Sequence, residues 1–227
     1  RLAGEYVVVS GLRFEGAFHP DAVLELRRDS KRLASYCRVT GCAFLDCNPP
    51  GESKEDSKYV SIYGHDNRLD HCVLSGKRSR GTTLVVWLAD ESSGRHQLDH
   101  NLFGPRPELK KNGGETIRIG DSNTSLLSAR CLVESNLFVQ CDGEAEIISN
   151  KSCENTYRHN TFRGCSGALP LRHGHRCTVE GNWFFGEGAR GTGGVRVIGE
   201  GHRVVNNYFE GLTGDEARAA LCVMNGI

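Results

Sequence analysis

A short pattern recurs through most of the chain and constrains the fold more than any other feature. It consists of an aliphatic residue, two variable residues, an asparagine or its substitute, one variable residue and then phenylalanine or leucine. The segments 179–184 and 204–209 show it most clearly. The asparagine positions, where Leu or Cys stands in the early copies, are Leu12, Cys42, Cys72, Asn101, Asn136, Asn160, Asn182 and Asn207. The last four positions are 22 to 25 residues apart, a period that predicts one structural coil per copy.

Each copy favours short strands over helices. Hydrophobic stripes with a helical period are nearly absent, and the chain has 28 glycines and 1 methionine. Leucine-rich repeats share this period, but their regular leucine positions are missing. We therefore predict an all-β solenoid, a parallel β-helix of about eight coils that rises about 4.8 Å per coil. Stacking would place the asparagines in an amide ladder and the phenylalanines in the core. The longer early spacings predict loops at 48–58 and 77–81.

The cysteines follow the same repeat. Cys42 and Cys72 occupy the asparagine position; Cys37, Cys131 and Cys177 lie five residues before it, and Cys47, Cys141 and Cys165 lie three residues after the phenylalanine. This regular placement predicts small buried residues that stack between coils. Two alternatives stay open. One is a disulfide between Cys141 and Cys165 on adjacent coils, and the other is a zinc site, although no C-x2-C pair occurs.

Charge and length argue against several classes of protein. The 227 residues carry 28 Lys and Arg against 28 Asp and Glu, so the formal net charge is zero. A neutral chain without a basic tail is a poor candidate for nonspecific nucleic-acid binding. No apolar run approaches the roughly 20 residues of a membrane helix. The length suits a single domain over residues 1–227. The abrupt ends at Arg1 and Ile227 predict either a processed chain or a fragment of a longer helix that lacks its N-terminal cap coils and C-terminal coils.

One acidic segment is the strongest candidate for a cation site. Glu144 and Glu146 are two residues apart, so on a strand both carboxylates would face the same side. Adjacent carboxylates repel each other unless a cation or a proton lies between them, and all-oxygen ligands suit Ca2+. On spacing alone, two solvent-facing glutamates are the commoner explanation.

A lysine and an arginine are separated by close to one coil. Lys151 and Arg172 are 21 residues apart, so adjacent coils would bring them side by side. A lysine close to another cation and to a metal can be neutral at working pH and can then act as a general base. Taken singly, each is more often an ordinary surface residue.

Four segments resemble one enzyme family in their order and spacing. They are 112–120 (NGGETIRIG), 144–152 (EAEIISNKS), 171–174 (LRHG) and 193–199 (GGVRVIG). The E-x-E…K…R-H-G series resembles polysaccharide lyase family 6, which contains alginate lyases and the dermatan-cleaving chondroitinase B. The resemblance extends over most of the chain, from about Val7 to Ile227.

The resemblance implies a right-handed parallel β-helix and a Ca2+-dependent lyase that cleaves a uronate polymer by β-elimination. It makes Asn112, Glu144 and Glu146 the Ca2+ ligands. It also makes Lys151 the base that removes the C5 proton, and Arg172 the group that assists the leaving oxygen or the developing charge. The residues that would line the substrate cleft are His173, Arg118, Arg196 and His202.

This chemistry is consistent on physical grounds. The C5 proton of a uronate is weakly acidic because the carbanion would form beside a carboxylate, and Ca2+ neutralises that charge. The proton donor to the leaving oxygen is the weakest assignment, since arginine stays charged and is a poor acid. A tyrosine or a water molecule is an alternative donor.

Alginate is the expected substrate, because the motifs look more like those of the alginate-cleaving members. Alginate also carries a carboxylate on every sugar, and Arg118 and Arg196 are available for bidentate contacts. The alternatives are a dermatan or chondroitin lyase and a noncatalytic β-helix that binds polysaccharide. A glycoside hydrolase needs an acid–base pair, and Glu144 and Glu146 are not free for that role if they hold a metal. A polymeric substrate further predicts a secreted or periplasmic protein.

Overall fold

The chain folds into stacked coils, and each coil contributes a strand to each of three parallel sheets. A computed structural model describes residues 1–51 and 55–225. Residues 52–54, which belong to the predicted loop at 48–58, and residues 226–227 lie outside the described part. In each sheet, every strand between the two terminal ones pairs with the equivalent strand of the coil before it and of the coil after it. The predicted right-handed parallel β-helix is confirmed.

The three sheets contain eight strands each. Sheet 1 comprises Val8–Ser10, Arg38–Thr40, Arg68–Asp70, Gln97–Asp99, Leu132–Glu134, Thr156–Arg158, Thr178–Glu180 and Arg203–Val205. Sheet 2 comprises Arg13–Glu15, Ala43–Leu45, Val73–Ser75, Leu102–Phe103, Leu137–Val139, Thr161–Arg163, Trp183–Phe185 and Tyr208–Glu210. Sheet 3 comprises Ala22–Glu25, Lys58–Ile62, Leu84–Val86, Ile117–Gly120, Ile148–Lys151, Leu169–His173, Val195–Val197 and Leu221–Val223.

Two smaller elements complete the described structure. The strands Gly4–Glu5 and Ala34–Ser35 pair in parallel between the first two coils, and a 3-10 turn spans Glu216–Arg218. No helix within the described ranges has the length and hydrophobicity that crossing a bilayer requires.

The core is built from columns of equivalent residues. In the three-residue strands of sheets 1 and 2, the middle residue faces the interior because side chains alternate between the two faces. Phe103, Phe138, Phe162 and Phe184 are at most 2% exposed, and neighbouring rings of this column stack at centroid separations of 4.5 to 4.9 Å. The predicted stacking of phenylalanines is therefore confirmed.

An asparagine ladder holds the turns between sheets 1 and 2. The backbone N–H of Asn136 donates to Oδ1 of Asn160 at 3.0 Å, and that of Asn160 donates to Oδ1 of Asn182 at 2.9 Å. The side-chain amide of Asn160 donates to the same Asn182 oxygen and to the carbonyl of Val133. The ladder extends from Asn101 to Asn207, as the sequence predicted.

The cysteines stack without forming disulfides. All ten are free, and nine of them are buried. The backbone N–H of Cys141 donates to Sγ of Cys165 at 3.4 Å. The disulfide considered for Cys141 and Cys165 is therefore wrong, because the two residues are joined by an N–H···S contact. Their packing role is the predicted one.

A second ladder occupies the turn that precedes sheet 1, and it includes His202. The backbone N–H of Cys177 donates to Nδ1 of His202 at 3.1 Å, and the protonated Nε2 then donates to the carbonyl of Ile198 at 3.1 Å. His96 accepts the N–H of Asn67 in the equivalent turn. Both ring nitrogens of His202 are therefore bonded to backbone. The structure places His202 in a turn, whereas the sequence predicted it in the substrate cleft.

Candidate active site

Sheet 3 carries most of the residues that the sequence singled out. Lys151 ends the strand Ile148–Lys151 and pairs with Gly120 on the preceding coil and with His173 on the following coil. Arg172 precedes His173 on that following coil. The expectation that adjacent coils bring Lys151 and Arg172 side by side is met, because their separation matches the local coil.

A β-bulge sets the direction of Arg172. Asn150 pairs with Leu171 and Lys151 pairs with His173, so Arg172 is the extra residue between two paired positions. Bulges bend a strand and redirect a side chain. The fully buried Asn150 supports the bulge, since its side-chain amide donates to the carbonyl of His173 at 2.7 Å. The side chain of Arg172 is 47% exposed and can therefore meet a ligand.

Glu146 is the centre of a buried ion cluster. Its Oε1 accepts hydrogen bonds from Arg172 at 2.7 Å and from Arg196, and its Oε2 accepts one from the hydroxyl of Ser149 at 2.6 Å. Burial raises the pKa of Glu146, but the bonds from Ser149 and Arg172 outweigh burial, so the net pKa is lowered. Glu146 therefore stays ionised and fixes both guanidinium groups.

Glu144 lies in a bend and not on a strand, which corrects one expectation. The backbones of Gly143 and Gly114 are so close that a Cβ on either glycine would lie 2.2 Å from the other's carbonyl oxygen. This approach brings two backbone donors of the adjacent coil to Glu144. Its Oε2 accepts the N–H groups of Gly113 at 2.7 Å and Gly114 at 2.9 Å. Glu144 and Glu146 consequently make separate sets of contacts.

A cavity of about 380 Å³ lies beside this bend and includes the exposed Asn112 and Glu144 in its lining. Glu115 follows the same glycine pair and is only 4% exposed, and its Oε2 has no hydrogen-bond partner among the described residues. Burial raises the pKa of Glu115, and the charge of Glu144 raises it further. A cation beside Glu115 and Glu144 would reduce the repulsion between these two carboxylates.

The donors fit a hard cation in part. Asn112 and Glu144 offer oxygens at one cavity, and Oε2 of Glu146 can accept more than its single bond from Ser149. No group of three or more His, Cys, Asp or Glu side chains is arranged as a metal site in the described ranges. A cation site would therefore combine the amide oxygen of Asn112 with carboxylates, and Glu146 would share its charge with Arg172.

Two further cations lie near the cluster but, unlike Arg172 and Arg196, are not paired with a carboxylate among the described residues. Within the described part of the chain, the side chains of Lys151 and Arg118 form no hydrogen bond or ion pair. Their charges nevertheless lower the pKa of Glu115, which places them within electrostatic range of the carboxylates. Burial and the charges of Arg172 and Lys151 lower the pKa of His173, so its imidazole is neutral at neutral pH.

Sequence reasoning missed the contribution of Glu115. The residue stood inside the quoted segment 112–120, but nothing in its spacing marked it as buried. The signal was the pair Gly113 and Gly114 directly before it, since adjacent glycines allow two backbones to approach closely.

Known proteins share the fold and much of the sequence of this chain. The family model described as chondroitinase B matches residues 1–227. A PL6 family alginate lyase, AlyGC, is 49% identical over 100% of this chain and 32% of its own, with a TM-score of 0.97. A mannuronic acid specific family 6 lyase from human gut microbiota is 38% identical over 98% of this chain and 50% of its own, with a TM-score of 0.90.

A third solved structure is more distant. It is a PL6 family polysaccharide lyase from Pseudopedobacter saltans, which is 29% identical over 90% of this chain and 47% of its own, with a TM-score of 0.79. No match was found among curated proteins. The chain thus spans between a third and half of the length of these enzymes. Since the family model covers every residue and the related folds superpose closely, the chain belongs to the chondroitinase B family, that is, polysaccharide lyase family 6.

Proposed function

We propose that this chain carries the catalytic centre of a Ca2+-dependent lyase that cleaves alginate by β-elimination. One observation carries the proposal. Lys151 has no hydrogen-bond or ion-pair partner in the described structure. It lies in register beside the bulge that exposes Arg172, whose guanidinium group is held by the buried carboxylate of Glu146. A base with a free amine, next to guanidinium groups that are already fixed, suits removal of a proton beside a uronate carboxylate.

The elimination can be assigned to groups of this chain. Lys151 takes the C5 proton, the electron pair forms the C4=C5 double bond, and the C4–O bond to the leaving sugar breaks. Arg172 lies beside Lys151 and is oriented to neutralise the negative charge that develops on the carboxylate. The hydrogen bond and charge of Glu146 raise the pKa of Arg172 above its usual value. Arg172 is therefore a stabilising cation, and we assign protonation of the leaving oxygen to water.

Asn112, Glu144 and Glu146 would hold Ca2+, and the buried Glu115 adds negative charge beside them. A bound Ca2+ would neutralise the uronate carboxylate and so make the C5 proton more acidic. Support comes from the shared cavity of Asn112 and Glu144 and from the unpartnered oxygen of Glu115. Because Glu146 also binds Arg172, the cation and the arginine would be positioned together.

Alginate is the proposed polymer because two of the solved relatives are an alginate lyase and a mannuronic acid specific lyase. The site agrees with a polymer that is charged on every sugar, since Arg118 lacks a carboxylate partner within the described residues. A second candidate is dermatan sulfate, which the description of the matching family model favours. A polymer of this size would be met outside the cytoplasm, so we also propose secretion or export to the periplasm.

One assay separates these possibilities. Formation of unsaturated product should be followed on alginate, its mannuronate-rich and guluronate-rich blocks, and dermatan sulfate, each with chelator and after Ca2+ is added back. We expect cleavage of alginate that chelator abolishes and Ca2+ restores. Full activity in excess chelator would contradict the metal assignment, and faster cleavage of dermatan sulfate than of every alginate preparation would contradict the substrate.

A matched pair of variants tests the metal site independently of turnover. Glu144→Gln removes a charge from the cavity and should weaken Ca2+ binding, measured by calorimetry, by at least about tenfold. Glu180→Gln removes a charge from the end of a sheet 1 strand and should leave Ca2+ binding unchanged. Equal Ca2+ affinity in the two variants would exclude Glu144 as a ligand.

A further inference from the structure

Two stacked aromatic rings, with a guanidinium group on each, form a column on the outer side of sheet 3. The guanidinium carbon of Arg27 lies 4.0 Å from the ring centre of Tyr63, and that of Arg118 lies 4.8 Å from the ring centre of Trp87. The rings of Tyr63 and Trp87 stack at 6.2 Å with an interplanar angle of 15°. These four residues form what we call the aromatic column.

Tyr63 and Trp87 lie in the same row of sheet 3 as Lys151, whereas Arg118 is in register with Val85. Val86 pairs with Ile62 on one side and with Ile119 on the other. The residues that follow these three, Tyr63, Trp87 and Gly120, therefore align, and Gly120 pairs with Lys151. With about 4.8 Å between coils, Trp87 lies about 10 Å and Tyr63 about 14 Å from Lys151 along the helix. Because Gly120 has no side chain, no side chain of this row stands between Trp87 and Lys151.

A second cavity opens beside the column, away from the candidate active site. Its volume is about 240 Å³, and its lining includes Arg27, Tyr63, Trp87, Leu33, Ala89 and Ser93. The residues combine aromatic and aliphatic surface with one guanidinium and several hydroxyl groups, which is the mixture that a sugar ring bearing a carboxylate would contact. None of the residues assigned to catalysis or to the metal contributes to this lining.

The charges around the column favour an anion. Arg27 and Arg1 both pair with the carboxylate of Glu25, which is 2% exposed, and Arg1 also lies 4.0 Å from the carboxylate of Asp21. Arg118, at the other end, has no acidic partner among the described residues, and its Nε is buried without a hydrogen bond. The column therefore holds more positive than negative charge, and contact with the rings keeps the two guanidinium groups in place.

We propose that the aromatic column and its cavity form a distal subsite for a uronate residue of the same polymer, two to three coils from Lys151 toward the N-terminus. The inference rests on the proposed function, because it concerns a sugar further along the chain that Lys151 would cleave. In this subsite Arg27 binds the carboxylate, and Tyr63 and Trp87 contact the ring. Longer chains would then bind more tightly than short ones.

Binding should be measured by calorimetry in a Lys151→Ala background, which prevents turnover, with mannuronate disaccharide and hexasaccharide as probes. Tyr63→Ala removes part of the column, and Ala89→Trp fills the cavity from an exposed position and leaves the four residues of the column unsubstituted. Each should weaken hexasaccharide binding by about tenfold, the factor expected from losing one charge-assisted or stacking contact, and leave disaccharide binding unchanged. Tyr208→Ala, an exposed tyrosine of sheet 2, is the control and should change neither.

The outcomes distinguish the subsite from the active site. Unchanged hexasaccharide affinity in both Tyr63→Ala and Ala89→Trp would overturn the subsite while the lyase function stands. An equal loss for both probes would also overturn it, since the loss would then come from general damage. Failure of the parent protein to bind either oligosaccharide would overturn the lyase proposal and the subsite together. Loss confined to the hexasaccharide in both variants would support the subsite even if one variant is less stable.

Discussion

Lys151 differs from Arg172 in a way that can be tested. Arg172 is held by Glu146, whereas Lys151 keeps its amine free of partners within the described structure. Lys151→Ala should lower the rate of product formation by about 10²–10⁴-fold, the usual contribution of a general base, with little change in substrate affinity. Initial rates and oligosaccharide binding measured on the same preparation check both parts.

The conservative variant separates base catalysis from charge. Lys151→Arg retains a positive charge but cannot lose its proton at working pH, so it should be as impaired as Lys151→Ala. Recovery of more than about a tenth of the rate in either variant would remove Lys151 from the role of base, given the range expected for such a group.

Single residues also show where sequence reasoning stops. The neighbourhood of Lys151 and Arg172 was predictable because their spacing matches a coil. The contacts of Glu146 were not predictable, since they depend on a β-bulge that no residue type in the sequence indicates. Glu144 was expected on a strand, but the approach of Gly114 to Gly143 produces a bend there. Spacing gives proximity between coils, whereas side-chain partners depend on local backbone irregularities.

At the scale of elements, the asparagine ladder should carry a large share of the stability. Asn160 is fully buried and exchanges side-chain hydrogen bonds with both neighbouring coils. Asn160→Ala leaves several buried donors and acceptors unsatisfied, so it should lower the free energy of unfolding by about 3 kcal/mol. Denaturant unfolding measures the loss.

An exposed asparagine supplies the comparison. Asn123 lies in a surface turn, and Asn123→Ala should change the free energy of unfolding by less than about 0.5 kcal/mol. If the two variants were equally stable, the ladder would be a consequence of the fold and not a support for it.

The repeat predicted the sheets and one of the two ladders. The asparagine ladder was visible because one residue type recurs at one position. The ladder that includes His96 and His202 was not visible as such, since cysteine, asparagine and histidine alternate in it. Each of these side chains can accept the same backbone N–H, so the structure is conserved between coils while the residue type is not. The resemblance to a family likewise could not show that His202 serves this turn.

For the whole molecule, one buried lysine should shape the dependence of stability on pH. Lys77 is 1% exposed, and its Nζ donates to Ser79 Oγ at 2.7 Å and to the carbonyl of Arg80. Burial, assisted by the nearby charge of Arg106, lowers the pKa of Lys77 to about 6. The unfolded chain therefore binds a proton that the folded chain lacks between about pH 6 and the ordinary lysine value of about 10. Stability should rise with pH in that window.

Lys77→Met removes this titration at similar volume. The difference in unfolding free energy between Lys77→Met and the parent should shift in the parent's favour by about 2–3 kcal/mol from pH 7 to pH 9, as expected for one proton over two pH units. The exposed Lys31→Met should show no such shift. Parallel pH profiles for the parent and Lys77→Met would mean that the buried amine stays protonated after folding.

The parallel register of sheet 3 sets the spacing between Lys151 and the proposed distal subsite. Each coil advances every side chain by the same step of about 4.8 Å, so the distance between Lys151 and Tyr63 is set by the number of intervening coils. Inserting residues in a turn would leave this distance alone, while duplicating a whole coil would lengthen it by one step. If the proposed subsite binds a uronate residue, a relative that gains or loses a coil between this subsite and the base would prefer a longer or shorter oligosaccharide. The groups at the bond that breaks would stay the same.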